Sequence, residues 1–368
     1  MSSQIKTQEL EVNMGPQHPS THGVLRVIIK LDGEVVREAT PVIGYLHRGM
    51  EKTAEKRTYF QFMPLTDRFD YLASMMNSAL YCQTLEKLCG MEVSRRAEYI
   101  RVIMMELNRI SSHLVFVGTF GLDLGATTPF IYCFREREAI LDLFEEAAGA
   151  RMTFNYMRPG GVAQDLPAGF DRKCREFLKK LPALLREYDD LLSDNRIFRE
   201  RTRGVGVLEA AEAVNWGASG PVLRASGVAY DVRKADPYSV YPEFEFDAVV
   251  RTEGDCLARY LCRTEEMRQS ICIIEQALDG LPEGPVSAKI NMNLKAPAGE
   301  AYHHIESARG DMGCYIVSDG SMKPVRLKWR APSFANLSII SRLIPGWKVA
   351  DAVAIIGSVD IVLGEVDR

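Results

Sequence analysis

Two histidines, His18 and His22, stand four residues apart in the stretch Asn13-Met14-Gly15-Pro16-Gln17-His18-Pro19-Ser20-Thr21-His22-Gly23-Val24-Leu25-Arg26. Two ligands at that spacing on one helical face can hold a metal ion. Pro16 and Pro19 argue against a helix, and no Glu follows His18, so the zinc-hydrolase pattern His-Glu-x-x-His is missing. Proton transfer asks for less: one histidine near its ordinary pKa of about 6.5 and a partner to fix its tautomer. A structural turn is the plain alternative for either residue.

Further along, Thr66-Asp67-Arg68-Phe69-Asp70-Tyr71 reads as the opening of a helix on which Arg68 and Tyr71, three apart, share a face. By spacing alone Tyr71 is a packed core residue there. Asp123 differs, being a lone acid in the apolar run Gly121-Leu122-Asp123-Leu124-Gly125 between two helical patterns. A carboxylate in such surroundings needs a partner, and histidine is a natural one. His113 sits in an apolar helical run and reads as a satisfied core histidine, while His303-His304 falls on a strand pattern. Gly204-x-Gly206 follows a helix and lacks a third glycine, so it is no dinucleotide fingerprint, and no Gly-x-x-x-x-Gly-Lys-Ser/Thr occurs. The eight cysteines form no Cys-x-x-Cys pair. Reduced structural thiols are therefore expected, with no zinc or iron–sulfur site in this chain; no flavin held by this chain is expected either.

These residues are hung on a simple succession of elements. Leu25, Val27, Ile29 and Leu31 alternate with polar residues as in a half-buried strand, and Asp32-Gly33 turns it into a second strand over Glu34 to Val42. Then come long helices: one capped at Thr66 or Asp67 and ending at Gly90, one capped at Ser94 and ending near Gly118, one starting at Thr128-Pro129 and ending near Gly149. A fourth spans Asp171 to Asp194 with a kink at Pro182, and a fifth spans Asp255 to Leu278. Short strands return at Gly313 to Val317 and Val325 to Trp329, followed by helical segments at Phe334 to Leu343 and Val349 to Ile356. The fold class expected is α+β, a central long-helix bundle flanked by small antiparallel sheets. It divides into a β-rich segment, 1–60, carrying the histidine loop; a helical bundle, 61–282, with an irregular insertion at about 195–254; and an α+β segment, 283–368.

With 368 residues the chain can bury a large core, and a formal net charge of −4 leaves no footprint for nucleic acid. The run Ile110 to Leu122 is too short to span a bilayer, and the first residues resemble neither a signal nor a transit peptide. A protein on the cytoplasmic side is expected.

Taken together, several stretches resemble the D subunit of complex I, the proton-pumping quinone oxidoreductase, a relative of the nickel-iron hydrogenase large subunit. They are Gly15-Pro-Gln-His-Pro-Ser-Thr-His22-Gly-Val-Leu-Arg26, Gly44-Tyr-Leu-His-Arg-Gly-Met-Glu51-Lys, Phe134-Arg-Glu-Arg-Glu138, Arg224-Ala-Ser-Gly227, Asp231-Val-Arg-Lys234 and Gly364-Glu-Val-Asp-Arg368. Hydrogenases carry four metal-binding cysteines in Arg-x-Cys-Gly-x-Cys and Asp-Pro-Cys-x-x-Cys; the corresponding positions here are Asp70, Ala73, Val362 and Glu365. The resemblance implies that the former metal cavity has become a quinone-headgroup pocket. It implies that His22 and Tyr71 hydrogen-bond the two quinone carbonyls, that Asp123 partners His22, and that Arg68 lies near the 4Fe-4S cluster of a neighbouring B-type subunit. Thr153 stands where many members have a histidine near that cluster, which puts proton-coupled tuning of the cluster through this position in doubt. The implied setting is a hetero-oligomer with B, C, I and membrane H-type subunits, peripheral on the cytoplasmic face of the cell membrane, in which electron transfer from NADH to quinone is coupled to proton transport. NADH, reduced ferredoxin and a deazaflavin all feed related complexes through other subunits. A non-catalytic scaffold between cluster-bearing and membrane subunits is the alternative from another class.

Overall fold

The computed structural model describes residues 9–18 and 23–368, so His22 lies outside the described residues. The chain opens with a three-stranded antiparallel sheet, β1 (Glu9–Met14), β2 (Arg26–Asp32) and β3 (Val35–Val42), with β2 in the middle. Leu25, Val27, Ile29 and Leu31 are buried, as their alternation predicts. The edge strand β1 is an addition to the sequence reading; Leu10, Val12 and Met14 alternate along it, but only Met14 is buried.

Helices follow: α1 (Met50–Lys56), α2 (Tyr59–Thr66), α3 (Ser74–Cys89), α4 (Arg95–Asp123) and α5 (Thr127–Ala148). The helix expected from Thr66 or Asp67 to Gly90 is corrected here, because residues 67–73 are irregular and α3 begins only at Ser74. Side chains competing for backbone donors explain the break. Asp70 accepts the N–H groups of Leu72 at 3.0 Å and Ala73 at 3.2 Å, which stand in for helical bonds. Arg68 and Tyr71 consequently share no helical face. Gly90 does end α3, in the left-handed conformation.

Ser94 caps α4 by accepting the Ala97 N–H at 3.2 Å, but the helix runs through Gly118 to Asp123. Gly118 is a close-packing position, not a stop: a methyl group there would lie 3.2 Å from the Phe130 Cα of α5. Asp123 is thus the last residue of α4 and not part of a loop. Gly149 ends α5, again left-handed.

Two short strands, β4 (Met157–Arg158) and β5 (Gly161–Val162), precede α6 (Phe170–Tyr188), which contains Pro182 and passes into a π-turn at Asp189–Ser193. Short helices α7 (Arg196–Thr202), α8 (Ala210–Asn215), α9 (Gly220–Arg224) and α10 (Val232–Ala235) lead to α11 (Cys256–Asp279), capped by Asp255. A second three-stranded antiparallel sheet, after the two-stranded β4–β5 pair, has the order β6 (Gly299–Glu306), β7 (Asp311–Ser318), β8 (Arg326–Arg330). The chain closes with α12 (Pro332–Ser338), α13 (Ile340–Leu343), α14 (Val349–Val359) and α15 (Leu363–Asp367). The architecture is α+β with small antiparallel sheets. Helix α4 lies in the middle, packed against α5 and α11, with both three-stranded sheets contributing to one continuous apolar core. No described helix is long and apolar enough to cross a membrane.

Candidate functional site

The short stretch from Gly357 to Glu365, which runs from the last turn of α14 into α15, gathers the neighbourhoods of the expected site residues. A methyl group on Gly357 would meet Asp123 Oδ2 at 3.1 Å, and one on Gly364 would meet Tyr71 Cε1 at 3.3 Å and the Phe69 carbonyl oxygen at 2.7 Å. Between them, Leu363 Cδ1 lies 3.2 Å from the Cβ position of Gly23, the residue after His22. Gly23 also pairs with His18 in an isolated antiparallel bridge, giving His18 a backbone role at the base of the histidine stretch.

The C-terminal motif is locked in place by the motif at residues 44–52. The Asp367 carboxylate accepts the backbone N–H groups of Gly44 at 2.8 Å and Leu46 at 2.7 Å, and the His47 ring bonds the Asp367 carbonyl at 2.6 Å. Glu51 accepts the Trp329 backbone N–H at 3.0 Å and pairs with Lys328 at 3.1 Å. The turn bearing Tyr71 is held from the other side, by Arg48 donating to the Arg68 carbonyl at 2.6 Å and by Phe69 stacked on the buried Trp329 at 4.4 Å. Tyr71 is half-buried, Arg68 exposed. Burial, and then the neighbouring Asp70 charge, hold the Tyr71 phenol above its ordinary pKa.

Beneath Tyr71 lies a buried ionic cluster. Arg309 donates to Asp70 Oδ2 at 3.0 Å and reaches Asp360 Oδ1 at 3.4 Å, while Arg263 approaches the other Asp360 oxygen at 3.4 Å. Ser112 of α4 also bonds Arg309. Glu365 accepts the Ser333 hydroxyl at 2.5 Å on one oxygen, and its other oxygen is buried with no hydrogen-bond partner among the described residues. Burial, reinforced by Asp70, pushes the Glu365 carboxyl up to about 8. Burial likewise raises Asp70, against the pull of Arg309. Ala73 and Val362 are buried apolar neighbours.

Deeper in the core a second network ties α4 to α11 and β6. Glu106 takes Arg109 at 3.1 Å, Arg233 at 3.2 Å, Tyr241 at 2.7 Å and Ser270 at 2.6 Å. Arg224 joins Glu266 at 2.5 Å to Glu306 at 2.7 Å, and His113 bonds Glu266 at 2.9 Å. His113 is the buried core histidine its setting predicts, but it is satisfied only at Nε2, its Nδ1 being buried with no hydrogen-bond partner among the described residues, and burial lowers its pKa. Among the described residues no three histidines, cysteines or carboxylates gather as a metal site.

A family model described as respiratory-chain NADH dehydrogenase, 49 Kd subunit, matches residues 123–294 and 288–368. The chain belongs to this family of complex I subunits. Over 363 residues it is 55% identical to the D subunit of the NADH-quinone oxidoreductase of Desulforamulus reducens, covering 99% of each chain. It is also 55% identical over 364 residues to the protein of that name from Geobacillus thermodenitrificans, covering 99% of this chain and all of the other. The Bacillus anthracis protein of the same name is 53% identical over 364 residues, covering 99% of this chain and all of the other.

As a member of this family, the chain is one part of a multi-subunit oxidoreductase, and its motifs acquire physical meaning. Residues 44–52 and 364–368 clasp each other; Arg224, Asp231 and Arg233 are members of the buried network. What sequence reasoning missed is the company of Asp70 and Glu365. The fold buries them together around Arg309, 239 residues from Asp70 in sequence. Two isolated acids gave no signal of such a contact. Thr153 is exposed with φ of 52°, and two residues on, the Asn155 N–H bonds Asp67, next to Arg68, at 2.7 Å.

Proposed function

We propose that this chain forms the headgroup pocket in which quinone is reduced, with His22 and Tyr71 as hydrogen-bond donors to the two carbonyl oxygens and Asp123 as the partner that orients His22. One observation carries the reading. The segment Gly357–Glu365 touches Gly23, Tyr71 and Asp123 along its length, so residues distant in sequence border one region. The relatives are named as parts of an NADH-quinone oxidoreductase, which supplies the substrate class.

Two-electron reduction places negative charge on both quinone oxygens. Donors already directed at them stabilise that charge as it develops and complete the quinol by giving up their protons. A histidine is the readier donor. Tyr71, held above its ordinary pKa by burial, keeps its proton until the far more basic reduced quinone takes it. Asp123 stabilises the imidazolium and fixes its tautomer. Quinone enters as substrate, and the electrons come from a 4Fe-4S cluster on a B-type partner. The exposed Arg68 faces that partner, with C, I and membrane H-type subunits completing an assembly on the cytoplasmic face of the membrane that couples reduction to proton translocation.

In the assembled complex, His22→Ala and Tyr71→Phe are expected to abolish quinone reductase activity while assembly and cluster reduction by the electron donor persist. Unchanged quinone turnover in both variants would refute the assignment and favour the scaffold role.

A further inference from the structure

Asp70, Asp360 and Glu365 lie around the guanidinium groups of Arg309 and Arg263, and all five residues are at most 6% exposed. The two arginines make their closest approaches to the other two acids: Arg309 bonds Asp70 and Asp360, and Arg263 approaches Asp360, while Arg309 acts on Glu365 only at longer range. Glu365 differs, because its hydrogen-bond partner among the described residues is the neutral Ser333 hydroxyl. An ionised carboxylate so placed, stripped of water and beside the Asp70 charge, is costly enough that it takes up a proton. Charges on the surrounding elements are already matched. On α11, Glu266 is paired with Arg224 and His113; on α4, Arg109 is paired with Glu106, and Ser112 is neutral. Tyr71 and, behind it, Arg48 face the cluster from the turn, and the buried Cys262 of α11 lies beside Arg263.

We propose that this cluster holds one mobile proton, resident on Glu365, and that this proton replenishes Tyr71 after each quinone reduction. Geometry supports the assignment to Glu365. One of its oxygens is buried without a partner among the described residues, as suits a carboxylic acid, whereas Asp70 accepts two backbone N–H groups and an arginine, all of which favour its ionised form. Glu365 directly follows Gly364, whose backbone packs on the Tyr71 ring, and Arg309 lies within electrostatic reach of Asp70, Glu365 and Tyr71 together.

Protons and charge balance along the path. The reduced quinone, carrying two electrons from the partner's cluster, takes the phenolic proton of Tyr71. The Glu365 carboxyl then gives its proton to the phenolate, and the new carboxylate is compensated by Arg309 until a proton arrives from solvent. Glu365 touches no substrate and is a relay residue, not a catalytic one. Its role rests on the quinone site proposed above.

Infrared difference spectroscopy on the assembled, oxidised complex without quinone, stepped from pH 6 to pH 10, tests the proton directly. A carbonyl band that vanishes with a midpoint near 8 is expected in the wild type and is expected to be absent in Glu365→Gln, while the band of the buried Glu306, whose carboxyl burial pushes up to about 7, persists in that variant. The Gln variant should lower quinone turnover roughly 100-fold with cluster reduction unaffected. Ser333→Ala, which removes the hydroxyl bond favouring the carboxylate and perturbs packing least, should move both the band midpoint and the alkaline limb of turnover upward. Survival in Glu365→Gln of the band with a midpoint near 8, or turnover with the wild-type pH profile in that variant, overturns the inference; an unmoved midpoint of that band in Ser333→Ala does the same. Loss of activity in Tyr71→Phe alongside a fully active Glu365→Gln would refute the relay alone and leave the quinone site standing.

Discussion

Replacing Gly364 by alanine is the most direct way to ask whether the C-terminal segment positions Tyr71. A methyl group at this position would lie 2.7 Å from the Phe69 carbonyl oxygen and 3.3 Å from both the Arg68 carbonyl oxygen and Tyr71 Cε1. An ordinary contact for a carbon is about 3.5 Å, so the turn must retreat by roughly 0.8 Å. It cannot retreat freely, because the Phe69 ring is stacked on the fully buried Trp329 and Arg48 grips the Arg68 carbonyl. Overpacking of this kind costs about 1–3 kcal/mol, of which the better helix propensity of alanine returns up to about 1. The fold should survive. Activity is the more sensitive readout, since displacing a reacting group by this much costs on the order of 10–100-fold. In assembled complex, Gly364→Ala should therefore lower quinone turnover by that factor with cluster reduction by the donor unchanged. Gly357→Ala meets the Phe120 ring at 3.0 Å and the movable Asp123 carboxylate at 3.1 Å, and its effect should be smaller. Turnover within about twofold of wild type for Gly364→Ala would refute the positioning argument, given that a shift of roughly 0.8 Å is required.

Arg309→Leu leaves Asp70 and Asp360 without their shared guanidinium and should destabilise the chain by about 3–5 kcal/mol in urea unfolding at pH 8. The loss should shrink at pH 5, where the orphaned carboxyls are protonated more easily; an equal loss at both values would argue against an uncompensated charge. Glu106 supplies an acid limb of stability. Burial alone would raise its pKa, but Arg109 and Arg233, helped by Ser270 and Tyr241, bring it to about 2. A depressed carboxyl contributes stability that is present above the unfolded value of 4.5 and is lost as pH falls toward 2, here roughly 3 kcal/mol. Glu106→Gln should flatten that limb in unfolding curves taken between pH 5 and pH 2.

Much of the scaffold was legible in the sequence because it rests on local physics. Alternation of Leu25, Val27, Ile29 and Leu31 reports burial on one face of a strand, and Ser94, Asp255, Gly90 and Gly149 mark helix ends through hydrogen bonds and dihedral angles confined to a few residues. Motif likeness named the family and the residues His22, Tyr71 and Asp123. Glycine shows where local signals fail. Gly149 stops a helix, yet Gly118 lies inside one because Phe130 of the next helix needs the space, and only the packing partner distinguishes the two cases. Residues 67–73 show the same limit: Asp70 opens the helix by taking backbone N–H groups, and what makes that carboxylate tolerable in the core is Arg309 from the far end of the chain. Asp70, Asp360 and Glu365 are three ordinary acids in sequence. Their joint burial around two guanidiniums, and the proton this charge balance calls for, exist only in the tertiary structure, because electrostatic energy depends on distance and on the exclusion of water, neither of which is written in residue order.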